Sequence, residues 1–72
     1  MKKFSVKNNV KIKRIENGEL TQGELAKLVG VTRQTINLIE SHKYNPTIKV
    51  CLAIAKVLET SIETLFWMEE KR

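Results

Sequence analysis

Two helical patterns follow each other so closely within residues 21–40 that they limit the folds open to this chain. In the first, apolar residues recur every three or four positions until Gly30. The second begins just after Val31, and Ile36 and Ile39 form its apolar side. So short a turn does not let two helices lie antiparallel. The spacing therefore predicts two helices that cross steeply.

The ends of these two helices carry start and stop signals. Thr21 is a suitable N-cap, and Glu24 three residues later completes a capping box. Gly30 can adopt the positive φ that ends a helix without a steric penalty. Thr32 is the next N-cap, and the small side chain of Ala26 lets the second helix approach closely.

The same periodicity predicts three further helices, which makes an all-α fold of five helices. The first spans about residues 8–16, and the fourth and fifth begin after the caps Thr47 and Ser61. Outside the pair described above, the residues expected to face inward are Val10, Ile12, Ile15, Ile48, Cys51, Leu52, Ala55, Leu58, Leu65 and Phe66. The terminal segments 2–6 and 66–70 have strand-like patterns, which predicts a small two-stranded antiparallel sheet packed on the helices.

Composition narrows the class of protein. The chain has 72 residues, which is the size of one domain, residues 1–72. Its only cysteine, Cys51, permits no internal disulfide and argues against a zinc site, which suits a cytoplasmic protein. We expect no metal and no other cofactor. The net charge of +5 arises in residues 1–36, which hold eight Lys or Arg and three Glu. This uneven basic charge favours a polyanionic partner, although it also fits a surface that only keeps the protein in solution.

The second helix of the pair has a polar side suited to recognition. Ile36 and Ile39 face inward in this arrangement, and the residues that then face outward are Arg33, Gln34 and Asn37. Arg pairs bidentately with guanine, and Gln or Asn with adenine, in the major groove of B-DNA. The residues expected near phosphates are Gln22, Thr32, Thr35 and Lys43.

The stretch TQGELAKLVGVTRQTINLIESHKYNP resembles the helix-turn-helix of the lambda repressor/Cro-like family, also called the XRE family. The residues that carry the resemblance are Gln22, Ala26, Gly30, Val31, Ile36, Ile39 and Glu40. The resemblance implies a transcriptional regulator that binds double-stranded DNA, usually as a homodimeric repressor. The DNA contacts that it implies are Gln22, Thr32, Arg33, Gln34, Thr35, Asn37, Lys43, Tyr44 and Asn45.

Three residues of this stretch raise separate expectations. Gly23 departs from the family pattern, which usually has a better helix former in the first turn of this helix. Glycine there is less favourable than alanine by up to about 1 kcal/mol. His42 stands in a turn where Asn or Gly is more usual. The resemblance implies that Glu40 is a structural acid that pairs with a nearby Arg or Lys.

The C-terminal aromatic segment leaves two interpretations open. Trp67 can cap the core, or it can join an exposed apolar patch that forms a dimer interface, the interpretation we favour. The predicted interface residues are Leu65, Phe66, Trp67 and Met68. A two-fold dimer places its recognition helices about 34 Å apart, which predicts an inverted-repeat operator. The expected mechanism is repression by promoter occlusion, since the chain has no room for a separate activation domain.

Other classes of protein fit less well. An antitoxin or adaptor module that binds a protein partner is the main alternative, although we find no extended tail suited to wrapping a toxin. No apolar run approaches the roughly 20 residues that span a membrane. Ser41 and His42 have no orienting acid, so no enzymatic activity is expected. No small-molecule ligand is indicated.

Overall fold

The computed structural model describes residues 3–71, so Lys2 of the predicted first strand lies outside them. Their elements are β1 (Lys3–Asn8), α1 (Val10–Glu16), α2 (Gln22–Val29), α3 (Arg33–Glu40), α4 (Ile48–Val57), α5 (Ile62–Leu65) and β2 (Phe66–Lys71). The two strands pair antiparallel. The predicted five helices with a small terminal sheet are therefore confirmed. Within residues 3–71, no helix has the length and apolar character to cross a membrane, and no cluster of His, Cys, Asp or Glu could hold a metal ion.

The helices begin where the sequence places caps. Thr21 Oγ1 accepts a hydrogen bond from the Glu24 N–H at 3.0 Å, and Glu24 Oε1 accepts one from the Thr21 N–H at 2.8 Å. These two bonds complete the predicted capping box. The caps of α3, α4 and α5 are Thr32, Thr47 and Ser61. Gly30 follows α2 with a φ of 88°, in the left-handed region that glycine adopts readily.

One hydrophobic core joins the five helices to the base of the sheet. Its fully buried side chains are Val10, Leu25, Ile36, Ile39, Ile54 and Leu65. Helix α2 packs against both α3 and α4. The core therefore holds α3 by its apolar side, as the sequence predicts.

Helix α1 buries only one of the three residues predicted to face inward. Ile12 is 58% exposed and Ile15 is also exposed, so their inward placement is wrong. Val10 is buried as predicted, and Arg14, one turn later, shares the buried side with it. Arg14 can be buried there because its charge is paired with Glu40 inside the protein.

Helix α4 also departs from the prediction. Ile48 and Leu52 are exposed rather than buried. The buried side is formed by Cys51, Ile54, Ala55 and Leu58. The helix is apolar on most of its surface, so two neighbouring stripes fit helical spacing, and packing against α2 and α5 selects one of them.

The strand ribbon is anchored on the core at one end. There Asn8 lies opposite Phe66, and Asn8 Nδ2 donates a hydrogen bond to the Ile39 carbonyl at 2.9 Å. Farther along the ribbon, Val6 lies opposite Met68, whose side chain is 66% exposed. A two-stranded ribbon alone is only marginally stable, so the exposed apolar part of this one is suited to packing against another surface.

Candidate nucleic-acid interface

The junction between α2 and α3 fixes the direction of α3. The backbone N–H groups of Gly30 and Val31 both donate to the Ala26 carbonyl, at 2.8 and 2.9 Å, and close the end of α2. On α3, Ile36 and Ile39 are fully buried. One side of α3 is therefore held by packing, and the opposite side is free for binding.

The free side of α3 presents Arg33, Gln34 and Asn37, which together we call the recognition face. All three residues are exposed, and they line an open polar recess of about 370 Å³. At the start of the helix, the hydroxyl oxygens of Thr32 and Thr35 form a hydrogen bond at 2.9 Å. The structure thus places the three residues predicted to contact bases on one surface.

Arg33 also reaches the start of α2. Its Cδ lies 4.0 Å from the position that a Cβ on Gly23 would occupy, which is an ordinary van der Waals distance. Arg33 lines a second recess, of about 530 Å³, together with Thr21, Gln22 and Gly23. The recess combines a guanidinium group and the N-terminal end of a helix, which favour anions, with the carboxylate of Glu19.

A buried ion pair joins α1 to α3. Arg14 Nε donates to Glu40 Oε2 at 2.8 Å, and Arg14 Nη2 donates to Glu40 Oε1 at 3.1 Å. Arg14 Nη1 donates to the Leu20 carbonyl at 2.7 Å, and Gln22 Nε2 donates to Glu40 Oε1 at 2.9 Å. The hydrogen bond to Glu40 is the main reason that the pKa of Arg14 is raised. The expected pairing of Glu40 with a nearby cation is confirmed.

This network shows that one of the basic residues of the N-terminal half, Arg14, does not contribute to a surface charge that could attract DNA. Arg14 belongs to the basic N-terminal half, but it is buried and its charge is balanced by Glu40. The available signal was its position one turn after Val10, on the side of α1 that packs inward. Gln22 was predicted to bind DNA, but its contact with Glu40 was not foreseen.

The described helices also match a known protein family. The statistical model of the helix-turn-helix family matches residues 10–65, which contain all five helices of the described chain. The chain belongs to the helix-turn-helix family. This result confirms the resemblance seen in the sequence.

Related proteins extend the similarity beyond the helices. An uncharacterized HTH-type transcriptional regulator of Methanocaldococcus jannaschii is 45% identical over 65 residues, which cover 90% of this chain and 97% of that protein. The uncharacterized HTH-type transcriptional regulator YgzD of Bacillus subtilis is 41% identical over 66 residues, or 92% of this chain and 98% of YgzD. Another, from Archaeoglobus fulgidus, is 48% identical over 52 residues, or 72% and 73% of the two chains.

In this helix-turn-helix protein, the turn after α3 lies at the opposite end of the helix from Arg33. Lys43 N–H donates to the Leu38 carbonyl at 2.9 Å, and His42 adopts a positive φ of 62°. Lys43, Tyr44 and Asn45 are exposed. They are available to a ligand at the C-terminal end of α3, about 12 Å along the helix axis from its start.

The helix-turn-helix protein has a second, apolar surface. A groove of about 390 Å³ lies between β2 and the start of α4, and we call it the apolar groove. Its main lining residues are Val6, Ile48, Cys51, Phe66, Trp67 and Met68. Trp67 and Met68 are exposed and Phe66 is half-buried. Leu65 is fully buried in the core, so its predicted place in an exposed patch is wrong.

Proposed function

We propose that this protein is a sequence-specific DNA-binding transcriptional regulator, acting as a homodimeric repressor on an inverted-repeat operator. The observation that carries the proposal is the recognition face, a set of exposed hydrogen-bonding side chains on a helix whose other side is buried. Membership of the helix-turn-helix family supports DNA binding. The relatives from M. jannaschii and B. subtilis are named as transcriptional regulators, which supports the regulatory role.

The chemistry of the recognition face fits the major groove. Arg33 can donate two hydrogen bonds to guanine, whereas Gln34 and Asn37 can each donate to and accept from adenine. Because α3 is held by its buried side, these groups can approach base edges without a rearrangement of the fold. We therefore assign direct recognition of bases to these three residues.

Residues around this face would position the protein on the DNA backbone. The set comprises Gln22, Thr32, Thr35, Lys43, Tyr44 and Asn45. Neutralisation of phosphates by basic residues releases counterions, so affinity should fall steeply as salt rises. Occupation of a promoter by the protein is the simplest mechanism of repression.

A homodimer would cover the apolar groove and place two recognition faces on one side of DNA. Trp67 is 40% exposed, and Ile48 and Met68 are more exposed still. Contiguous exposed apolar side chains of this kind are typical of interfaces. We propose Trp67 and Met68, with Phe66 at their edge and Ile48 opposite, as the core of the dimer contact.

The same groove supports a second candidate function, in which the protein is an antitoxin or adaptor that binds a different protein. An apolar groove can accept an amphipathic segment from such a partner. The two proposals differ in the state of the purified protein. A self-associating groove gives dimers without any partner, whereas a groove for another protein leaves monomers.

We also infer a cytoplasmic location, where a DNA-binding regulator meets its operator.

Burial raises the pKa of the Cys51 thiol. The protonated thiol is a poor nucleophile, which fits a packing role for Cys51 rather than a redox function.

Selection of binding sites from random duplex DNA tests the proposed function. We expect an inverted repeat with half-sites about 10 base pairs apart. Replacement of both Gln34 and Asn37 by Ala should abolish enrichment of that sequence. Lys56→Ala, which removes an exposed positive charge from α4, is the matched control and should select the same sequence. Enrichment of no sequence by the parent protein would reject the proposal in favour of a protein partner.

A further inference from the structure

Glu40 connects the recognition helix to the start of α2. It is the last residue of α3, and its side chain is only 4% exposed. Three hydrogen bonds hold its carboxylate, two from Arg14 and one from Gln22. Arg14 is itself held by the Leu20 carbonyl. The carboxylate therefore occupies one fixed place relative to α3.

We propose that Glu40 is a positioning residue that orients Gln22 for contact with a DNA phosphate; this inference rests on the proposed function. Gln22 Nε2 carries two hydrogens, and one of them is donated to Glu40 Oε1 at 2.9 Å. The second hydrogen remains available to an acceptor such as a phosphate oxygen. Gln22 lies in the recess beside Arg33 and is half-buried, so the outer part of its side chain can be reached by a ligand.

Orientation in advance matters because Gln has a long and flexible side chain. A free Gln loses rotamer freedom when it binds, which weakens affinity, whereas a side chain already held by Glu40 does not. From the usual size of that loss we expect a weakening of about 3–10-fold when the orientation is removed. Because Glu40 belongs to α3, the bond between Gln22 and Glu40 also fixes the distance from the proposed phosphate contact on α2 to the recognition face on α3.

A purely structural role makes a different prediction. If Gln22 only satisfies a lone pair of the buried carboxylate, its removal should change the free energy of unfolding and leave DNA affinity alone. A positioning role requires that Glu40 and Gln22 affect DNA binding as one unit.

A double-mutant cycle on the full chain separates these roles. Glu40→Asp keeps a charge for Arg14 but withdraws the carboxylate from Gln22, and Gln22→Ala removes the amide. We expect each change to weaken binding to the selected operator about 3–10-fold, and the double variant to be no weaker than Gln22→Ala alone. Ile54→Val, which trims the buried core away from the network, is the control for lost stability and should bind as the parent does.

A chemical probe of the DNA backbone identifies the phosphate that Gln22 contacts. Operators that carry a single methylphosphonate at successive positions should reveal one phosphate whose neutral replacement weakens the parent but not Gln22→Ala. Glu40→Asp should lose sensitivity at the same phosphate. Additive effects in the cycle, or full sensitivity in Glu40→Asp, would overturn the inference while leaving the proposed function intact. Failure of the parent to bind any operator would overturn both.

A measurement on the unaltered protein covers the case in which Glu40→Asp does not fold. NMR relaxation of the Gln22 side-chain amide reports its order before DNA is added. We expect a rigid amide in the free protein that stays rigid in the complex. A mobile Gln22 amide in the free protein would contradict positioning by Glu40.

Discussion

The recognition face and the apolar groove are both exposed, but they are built in opposite ways. The recognition face presents polar side chains from one helix that the core holds from behind. The apolar groove presents apolar side chains from strands and a helix that the chain brings together from both ends. Polar groups on a rigid helix remain hydrated until a ligand arrives, whereas exposed apolar side chains favour being covered at all times. The first surface is therefore suited to recognition and the second to lasting assembly.

Loss of the buried ion pair between Arg14 and Glu40, which joins α1 to α3, should have the largest effect on stability. Arg14→Ala leaves the Glu40 carboxylate buried and unpaired, which should reduce the free energy of unfolding by about 3–5 kcal/mol. Lys13→Ala is the matched control, because Lys13 forms a partly exposed ion pair with Glu16 at 3.5 Å. Its loss should change stability by less than about 1 kcal/mol. Urea unfolding of both variants measures the difference, and equal stabilities would show that the buried pair is not a support.

The apolar groove should respond in assembly rather than in folding. Trp67→Ala together with Met68→Ala removes exposed side chains, so the protomer should stay folded while dimer affinity falls by about 2 kcal/mol or more. Sedimentation velocity across a concentration series measures the shift. Leu28→Ala removes an apolar side chain that is 61% exposed on α2, away from the groove, and should leave the dimer unchanged. A dimer that survives the double change would place the interface elsewhere.

Single changes in the recognition face should be smaller and selective. Gln34→Ala or Asn37→Ala should each reduce affinity for the selected operator by about 1–3 kcal/mol and relax preference at one base pair. Lys43→Ala should instead weaken binding to all sequences alike, because a phosphate contact carries no sequence information. Competition binding against operators altered at one position distinguishes these patterns. Unchanged discrimination in both amide variants would move base recognition away from this face.

The two surfaces also differ in how far the sequence predicts them. The recognition face follows from local signals, because Thr32 caps the helix and the spacing of Ile36 and Ile39 defines its buried side. The apolar groove depends on contacts between distant parts of the chain, such as Val6 with Met68. The strands were predicted, but the groove was not, because the start of α4 contributes to it and that helix turns Ile48 outward.

The ion pair between Arg14 and Glu40 is the other feature that the spacing of apolar residues does not predict. Arg14 and Glu40 are 26 residues apart, and the position of Arg14 one turn after Val10 shows which side of α1 it shares but not which distant acid pairs with it. The expectation that Glu40 would find a cation came from the family resemblance, and it did not say which one. The structure shows Arg14 in place of the expected Ile12 and Ile15, because the buried charge has a bidentate partner.

The smallest expected effect is a pH dependence confined to the helix-turn-helix side of the molecule. Hydrogen bonds from Thr21 lower the pKa of Glu24 below its ordinary value, so the charged carboxylate stabilises the folded state. That contribution should be present above the ordinary glutamate pKa and disappear as the pH falls through the lowered folded-state value. Glu24→Gln can keep the capping box without the charge, so its stability should lack this component of the pH profile. Urea unfolding of parent and variant between neutral and acid pH tests this. A stability difference that stays constant over the whole range would mean that the cap acts through its hydrogen bonds alone.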